Sequence, residues 1–169
     1  MRVFTISGLA CVAVFVAGVA PADPLPHEKL GLWLQDATTM GQHVSGQYCI
    51  DATTEARMSV FSSSMAHNGK CQRGAIVHEA DGSWTNESTC EFRHGVKKAT
   101  RAVISGDFNS KFTMALTSVP DGASIVNMTA TWTGPCKPGM KGGDVIMSNG
   151  MKINLLDGTS SGQPGAAPR

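Results

Sequence analysis

The chain has 169 residues, of which 16% are charged, with 14 Lys+Arg against 13 Asp+Glu and only 6% aromatic residues. A balance this close to neutral, without a basic stripe, excludes nucleic acid or an anionic membrane surface as an electrostatic partner. The scarcity of aromatics argues against a stacking platform for sugars or bases, and the length suffices for one domain with a sizeable core.

Met1 and Arg2 precede an apolar run, VFTISGLACVAVFVAGVA, followed at once by Pro21-Ala22 and Asp23. A positive start, an apolar stretch and a small-x-small site predict a secretory signal peptide over 1–22, cleaved after about Ala22 to leave an exported protein. The run is also long enough for an uncleaved anchor, but Pro21 ends it where the cleavage site begins. Gly8 stands where a lipoprotein signal carries leucine, so lipidation at Cys11 is not expected. Cleavage leaves no membrane span and no net charge, since 13 basic side chains then face 13 acidic ones.

The two stretches 31–39 (GLWLQDATT) and 43–51 (HVSGQYCID) read as strands separated by MGQ. The segment 52–70 is the one credible helix, capped by Asp51, Thr53 or Thr54 and ended by Asn68-Gly69. Strands over 71–79 and 83–93 flank Asp81-Gly82, a strong hairpin signal. A two-residue turn there sets Glu79 opposite Trp84, Arg73 opposite Cys90 and Cys71 opposite Phe92.

The stretches 97–108 and 110–119 continue the sheet. Pro120-Asp121-Gly122 suits a turn with a bulge at the glycine. That loop pairs Leu116 with Val126, Met114 with Met128 and Phe112 with Ala130, three apolar pairs on one face. Thr117, Asn127, Thr129, Thr131 and Thr133 go to the other, wetter face. MTATWTGPC (128–136) is then the last long strand, broken at Gly134-Pro135. Asn149-Gly150 marks a C-terminal hairpin that pairs Ile146 with Ile153 and Ser148 with Met151. The tail 159–169 has little to bury and is expected to be disordered.

These elements predict a mainly β fold, a single antiparallel meander of about seven strands, strongly curved or barrel-like. One helix is inserted and a C-terminal hairpin follows, in a single domain over 23–158. Without Cys11, four cysteines remain, Cys49, Cys71, Cys90 and Cys136, an even number that in an exported chain implies two disulfides. The pairing Cys49–Cys71 with Cys90–Cys136 is preferred, because it closes loops of about 20 and about 45 residues, each worth about 3–4 kcal/mol. The rival is Cys71–Cys90 with Cys49–Cys136, in which the predicted register sets Cys71 and Cys90 diagonally, an awkward geometry for a disulfide.

No catalytic, cofactor or metal site emerges. Cys71 and His78 project to opposite strand faces, against a zinc site with Cys90 and His94. Met140, Met147 and Met151 are soft enough for Cu(I), but the predicted register turns Met147 away from Met151. No nucleophile elbow is present, and hydrolysis has no support. The candidate ligand face is the apolar side of the sheet, with Trp84, Phe112, Met114, Met128 and Trp132; a closed core is the competing expectation for the same residues.

GLW at 31–33, YCIDATTE at 48–55, SGDF at 105–108, FTMAL at 112–116 and MTATWTGPC at 128–136 occur in that order, before KGGDVIMSNGMKINLLD. With the four cysteines, this series resembles the proteobacterial exported family known as domain of unknown function 3617, over about residues 28 to 157. The resemblance implies a periplasmic, mostly β protein with structural cysteines, and it brings no activity. The expected function is therefore non-catalytic: a module that binds a small apolar or amphipathic envelope ligand, or else an envelope component that meets a partner protein. Oligomeric state is left open.

Overall fold

The computed structural model describes residues 24–61, 70–91 and 93–162. The expected signal peptide, the helix end at Asn68-Gly69, Phe92 and the tail beyond residue 162 lie outside the described residues. The elements are β1 (Gly31–Thr39), β2 (Gln42–Ile50), α1 (Ala52–Met58), β3 (Lys70–Arg73), β4 (Val77–His78) and β5 (Trp84–Glu91). They continue with β6 (Lys97–Gly106), β7 (Lys111–Val119), β8 (Ser124–Gly134), β9 (Asp144–Met147), β10 (Lys152–Asn154) and β11 (Ser160–Ser161).

The expectation of a mainly β chain with one helix after the second strand holds. All the strands join one antiparallel sheet, in the order β11-β10-β9-β2-β1-β8-β7-β6-β5-β3, with β4 also on β5. Three expectations of its architecture are corrected. The sheet has 11 strands, not about seven, and it is open rather than closed into a barrel. Nor is it a simple meander, because β1 lies between β2 and β8 and pairs with both along its length. Residues 160–161, inside the segment expected to be disordered, form β11 against β10.

Helix α1 starts from a strong cap and ends where Ser59 turns out of the helical region at ψ 143°. Asp51 Oδ1 accepts the N–H groups of Thr53 and Thr54, and Thr54 Oγ1 accepts the Asp51 N–H, a reciprocal capping box. The helix ends at Met58, before the serine run begins at Ser62.

Alternation along the strands separates the two faces. Register aligns Trp84, Ile104, Met114, Met128 and Ala37 on the inner face, with Phe112, Ala130 and Trp33 in neighbouring rows. Ser59–Phe61 after α1, Phe108 from the β6–β7 turn and the segment before β1 cover it. Phe61 packs on Trp84 and Phe108 at ring separations of 5.9 and 5.4 Å, and Phe112 lies 5.3 Å from Trp33. The leading segment is fastened by main-chain contacts: Lys29 N–H donates to the Phe108 carbonyl, Trp33 Nε1–H to that of Lys29 and Trp132 Nε1–H to that of Leu30.

The hairpin around Pro120-Asp121-Gly122 has the predicted register, with Leu116 on Val126, Met114 on Met128 and Phe112 on Ala130. The two other glycine hairpins are shifted by one. Glu79 N–H donates to the Ser83 carbonyl, so Ala80-Asp81-Gly82 forms a three-residue loop with Gly82 at φ 82°. Met147 likewise donates to the Met151 carbonyl around Ser148-Asn149-Gly150, with Gly150 at φ 81°. Met147 therefore lies opposite Met151, and Ile146 pairs with Lys152 rather than Ile153.

The disulfides are Cys49–Cys136 and Cys71–Cys90, with Cα separations of 5.5 and 4.0 Å. The preferred pairing of Cys49 with Cys71 and Cys90 with Cys136 is thus overturned, for two local reasons. The longer turn moves β4 by one residue, and the irregular stretch between β4 and β3 moves β3 by one more, bringing Cys71 directly opposite Cys90. At the other end, Leu32 pairs with both Cys49 and Gly134, so Cys136 emerges across β1 from Cys49.

Candidate functional site

The face expected to hold a ligand is largely filled. Trp84, Phe112 and Met128 are buried among Trp33, Phe61, Ile104 and Phe108, while Met114 and Trp132 pack half-buried at the margin of the same cluster. Phe112 is 1% exposed, which leaves its ring no access to a solute. Trp132 carries Lys29 Nζ 3.6 Å above its ring, a cation–π contact that helps to close the margin. The structure brings the five residues together as core and core edge.

The opposite face holds an open groove of about 560 Å³. Register explains it. Ser105, Thr113, Thr129 and Asp36 form one cross-strand row on this face, and Val103, Ala115, Asn127, Thr38 and His43 form the next. Small and β-branched side chains leave room that the inner face fills with rings. Ala37, Met114 and Met128 also line the groove; their side chains belong to the inner rows, so they contribute backbone to its floor. Threonine methyls, Val103 and Ala115 alternate with hydroxyls, the Asn127 amide and the Asp36 carboxylate, which makes the lining amphipathic.

Asp36 Oδ1 stands 3.3 Å from His43 Nε2 at one wall. Both side chains are more than half exposed, so the pair is solvated and contributes little to stability. Arg101, beyond the groove on the same face, is occupied by Glu79 and Glu87 at 3.7 and 3.5 Å. The lining thus carries one carboxylate and one imidazole and no lysine or arginine. The predicted wet face already included Asn127 and Thr129. Asp36, His43 and Thr113 were not legible as neighbours, because that requires knowing that β1 pairs with β8.

Two buried carboxylates lie elsewhere. Glu28, 3% exposed, accepts the Val60 N–H at 2.8 Å and the Tyr48 hydroxyl at 3.3 Å. Burial pushes its pKa up to about 7 against the pull of those two donors, and nearby Glu55 adds to the rise. Burial, with Glu28 beside it, also drives the Tyr48 hydroxyl upward. Asp144 is opposed by burial too, yet Lys152 at 2.6 Å, the Lys141 N–H and the Asn154 amide hold it below the usual carboxylate range. Both groups fasten chain segments to the sheet.

The description "Protein of unknown function (DUF3617)" matches residues 24–136. The chain belongs to the DUF3617 family. No curated protein matches it, and no solved structure does. The matched span holds β1–β8, all four disulfide cysteines and the whole groove lining, whereas the C-terminal hairpin of this DUF3617 chain lies beyond it. Among the described residues no group of three or more His, Cys, Asp or Glu side chains converges as a metal site would, and no helix is long and apolar enough to cross a membrane.

Proposed function

We infer that this DUF3617 protein is an exported, non-catalytic binding protein of the periplasm, which takes a small amphipathic ligand in the groove on its threonine-rich face. The groove itself carries the reading: about 560 Å³ of open space on one face, of the size small-molecule sites have. The inner face, where the apolar residues lie, is occupied by the protein's own rings. Alternating methyl and hydroxyl groups suit a ligand with an apolar body and hydroxyl or amide groups. The absence of a lining lysine or arginine disfavours an anion. Export is supported by the charged-then-apolar start ending at Pro21-Ala22 and by two disulfides.

Native mass spectrometry of protein purified from its own host is the direct test. A bound small molecule is expected, with its occupancy reduced about tenfold, or 1.4 kcal/mol, by Ala115→Phe together with Thr129→Phe, which fill the groove. No bound molecule from the host, and no groove-specific NMR shifts with a panel of neutral amphiphiles, would sink the reading. Retention of a ligand by the filled variant would move the site elsewhere.

A further inference from the structure

The two disulfides differ in how an external thiol can reach them. Cys49 is 2% exposed, and its own carbonyl is covered by the Gly143 N–H. Cys71 is exposed on β3, the terminal strand on its side of the sheet, directly opposite Cys90 on β5. Exchange requires a thiolate to reach a disulfide sulfur, and its rate depends on access and on the departing thiol. Lys98 on β6 is the cross-strand neighbour of Cys90 and is exposed on the same face of the sheet.

The same short strand fastens the core. Two residues beyond Cys71, Arg73 Nη1–H donates to the Phe61 carbonyl. Phe61 is buried edge-on against Trp84. With its disulfide opened, β3 keeps a four-residue ladder to β5, the neighbouring Gly74 N–H on Glu87 and the Arg73 contact with Phe61. Short edge ladders of this kind open locally at low cost.

We propose that Cys71–Cys90 is a thiol–disulfide exchange site for a dithiol reductant, and that its opening loosens Phe61 from Trp84 while Cys49–Cys136 stays closed. One thiolate of the dithiol attacks Cys71 Sγ. A mixed disulfide forms, the Cys71–Cys90 bond breaks, and Cys90 leaves with the electron pair as a thiolate that takes a proton from water. The second thiol of the reductant loses its proton and, as thiolate, displaces Cys71. The dithiol is thereby oxidised to a disulfide, and the protein gains two electrons and two protons as two thiols.

The test is graded dithiothreitol on the oxidised native protein, quenched by alkylation and mapped by peptide mass spectrometry. Cys71 and Cys90 are expected to be labelled at least about tenfold faster than Cys49 and Cys136. In the same samples, tryptophan emission should shift to the red and Phe61 amide exchange should speed up. Simultaneous opening, or Cys49–Cys136 opening first, would overturn the exchange site. Selective opening with unchanged emission and unchanged Phe61 exchange would overturn the coupling to the core. The Cys71→Ser/Cys90→Ser variant should show the shifted emission without reductant and no response to it; a native spectrum from the folded variant counts against the coupling. The alkylation result on the unaltered protein stands whether or not that variant folds.

Discussion

The block β1–β8–β7–β6 and the edge β3–β4 belong to one sheet, yet they are held by different means. In the block every strand has a neighbour on both sides, and its inner rows bury Trp33, Phe112, Met128, Ala130 and Ile104. A slip of one residue there would turn the whole apolar set to the wrong face, so burial itself fixes the register. At the edge, Cys71, Val77 and His78 are exposed, and the register against β5 shifts between β4 and β3. The side-chain pattern is weaker there: Ile76 packs half-buried against the core and His78 stacks on Trp84 at 4.3 Å, with no alternating apolar face. A covalent bond and the Arg73 contact with Phe61 add to these in fixing the edge. One sheet thus contains a region held by packing and a region held by points of attachment.

Removing the disulfides one at a time is the strongest way to break this contrast. Cys49–Cys136 spans 87 residues and Cys71–Cys90 spans 19. On chain-entropy grounds, Cys49→Ser with Cys136→Ser should cost about 4–5 kcal/mol, and Cys71→Ser with Cys90→Ser about 3 kcal/mol. Urea unfolding of the two double variants measures both. A larger loss from the edge pair would mean that the edge contributes more to global stability than its exposure allows.

Side-chain truncation sharpens the same comparison without touching covalent bonds. Phe112→Ala removes a ring packed against Trp33 and Phe108 and should cost about 3–5 kcal/mol. Val77→Ala, on the exposed edge, should stay within about 0.5 kcal/mol. Similar denaturation midpoints for the two variants would refute the division into packed block and attached edge.

The same division governs what could be read in advance. The 112–130 hairpin was legible because turn chemistry and three apolar pairs pointed to one register. Around Asp81-Gly82 and Asn149-Gly150 the turn stood almost alone, and a glycine at positive φ serves a two-residue turn and a three-residue loop with a bulge equally well. That single-residue ambiguity, with one more residue at the irregular stretch between β4 and β3, displaced Cys71, and it set Met147 opposite Met151, removing the register argument that had separated those two thioethers. The remaining gap is topological. Nothing local in 31–39 reports that β1 will lie beside β8, and from that one pairing follow the Cys49–Cys136 bond and the juxtaposition of Asp36 with Thr113 and Thr129. Of the candidate site, the polar face was legible and the groove was not.

A further comparison is between the two buried carboxylates, which answer pH in opposite directions. Asp144 meets Lys152 and two N–H donors and is held low, so its contribution is present at neutral pH and is lost only as acid protonates it. Glu28 meets two neutral donors, the Val60 N–H and Tyr48, with Glu55 nearby rather than a cation; Glu55 itself pairs with His27 at 3.0 Å. Glu28 rises from an ordinary 4.5 to about 7. Below pH 4.5 it is protonated in folded and unfolded chains alike, and its full contribution is present. As pH climbs from 4.5 through 7, the unfolded chain ionises first, and folding loses about 3 kcal/mol. In Glu28→Gln the amide oxygen still accepts the Val60 N–H and nothing ionises, so its stability should not show this decline. The difference between the two proteins is measured by urea unfolding at pH 5 and pH 8. A difference that stays constant across that interval would mean that Glu28 is already ionised in the fold and that the segment before β1 is fastened by charge.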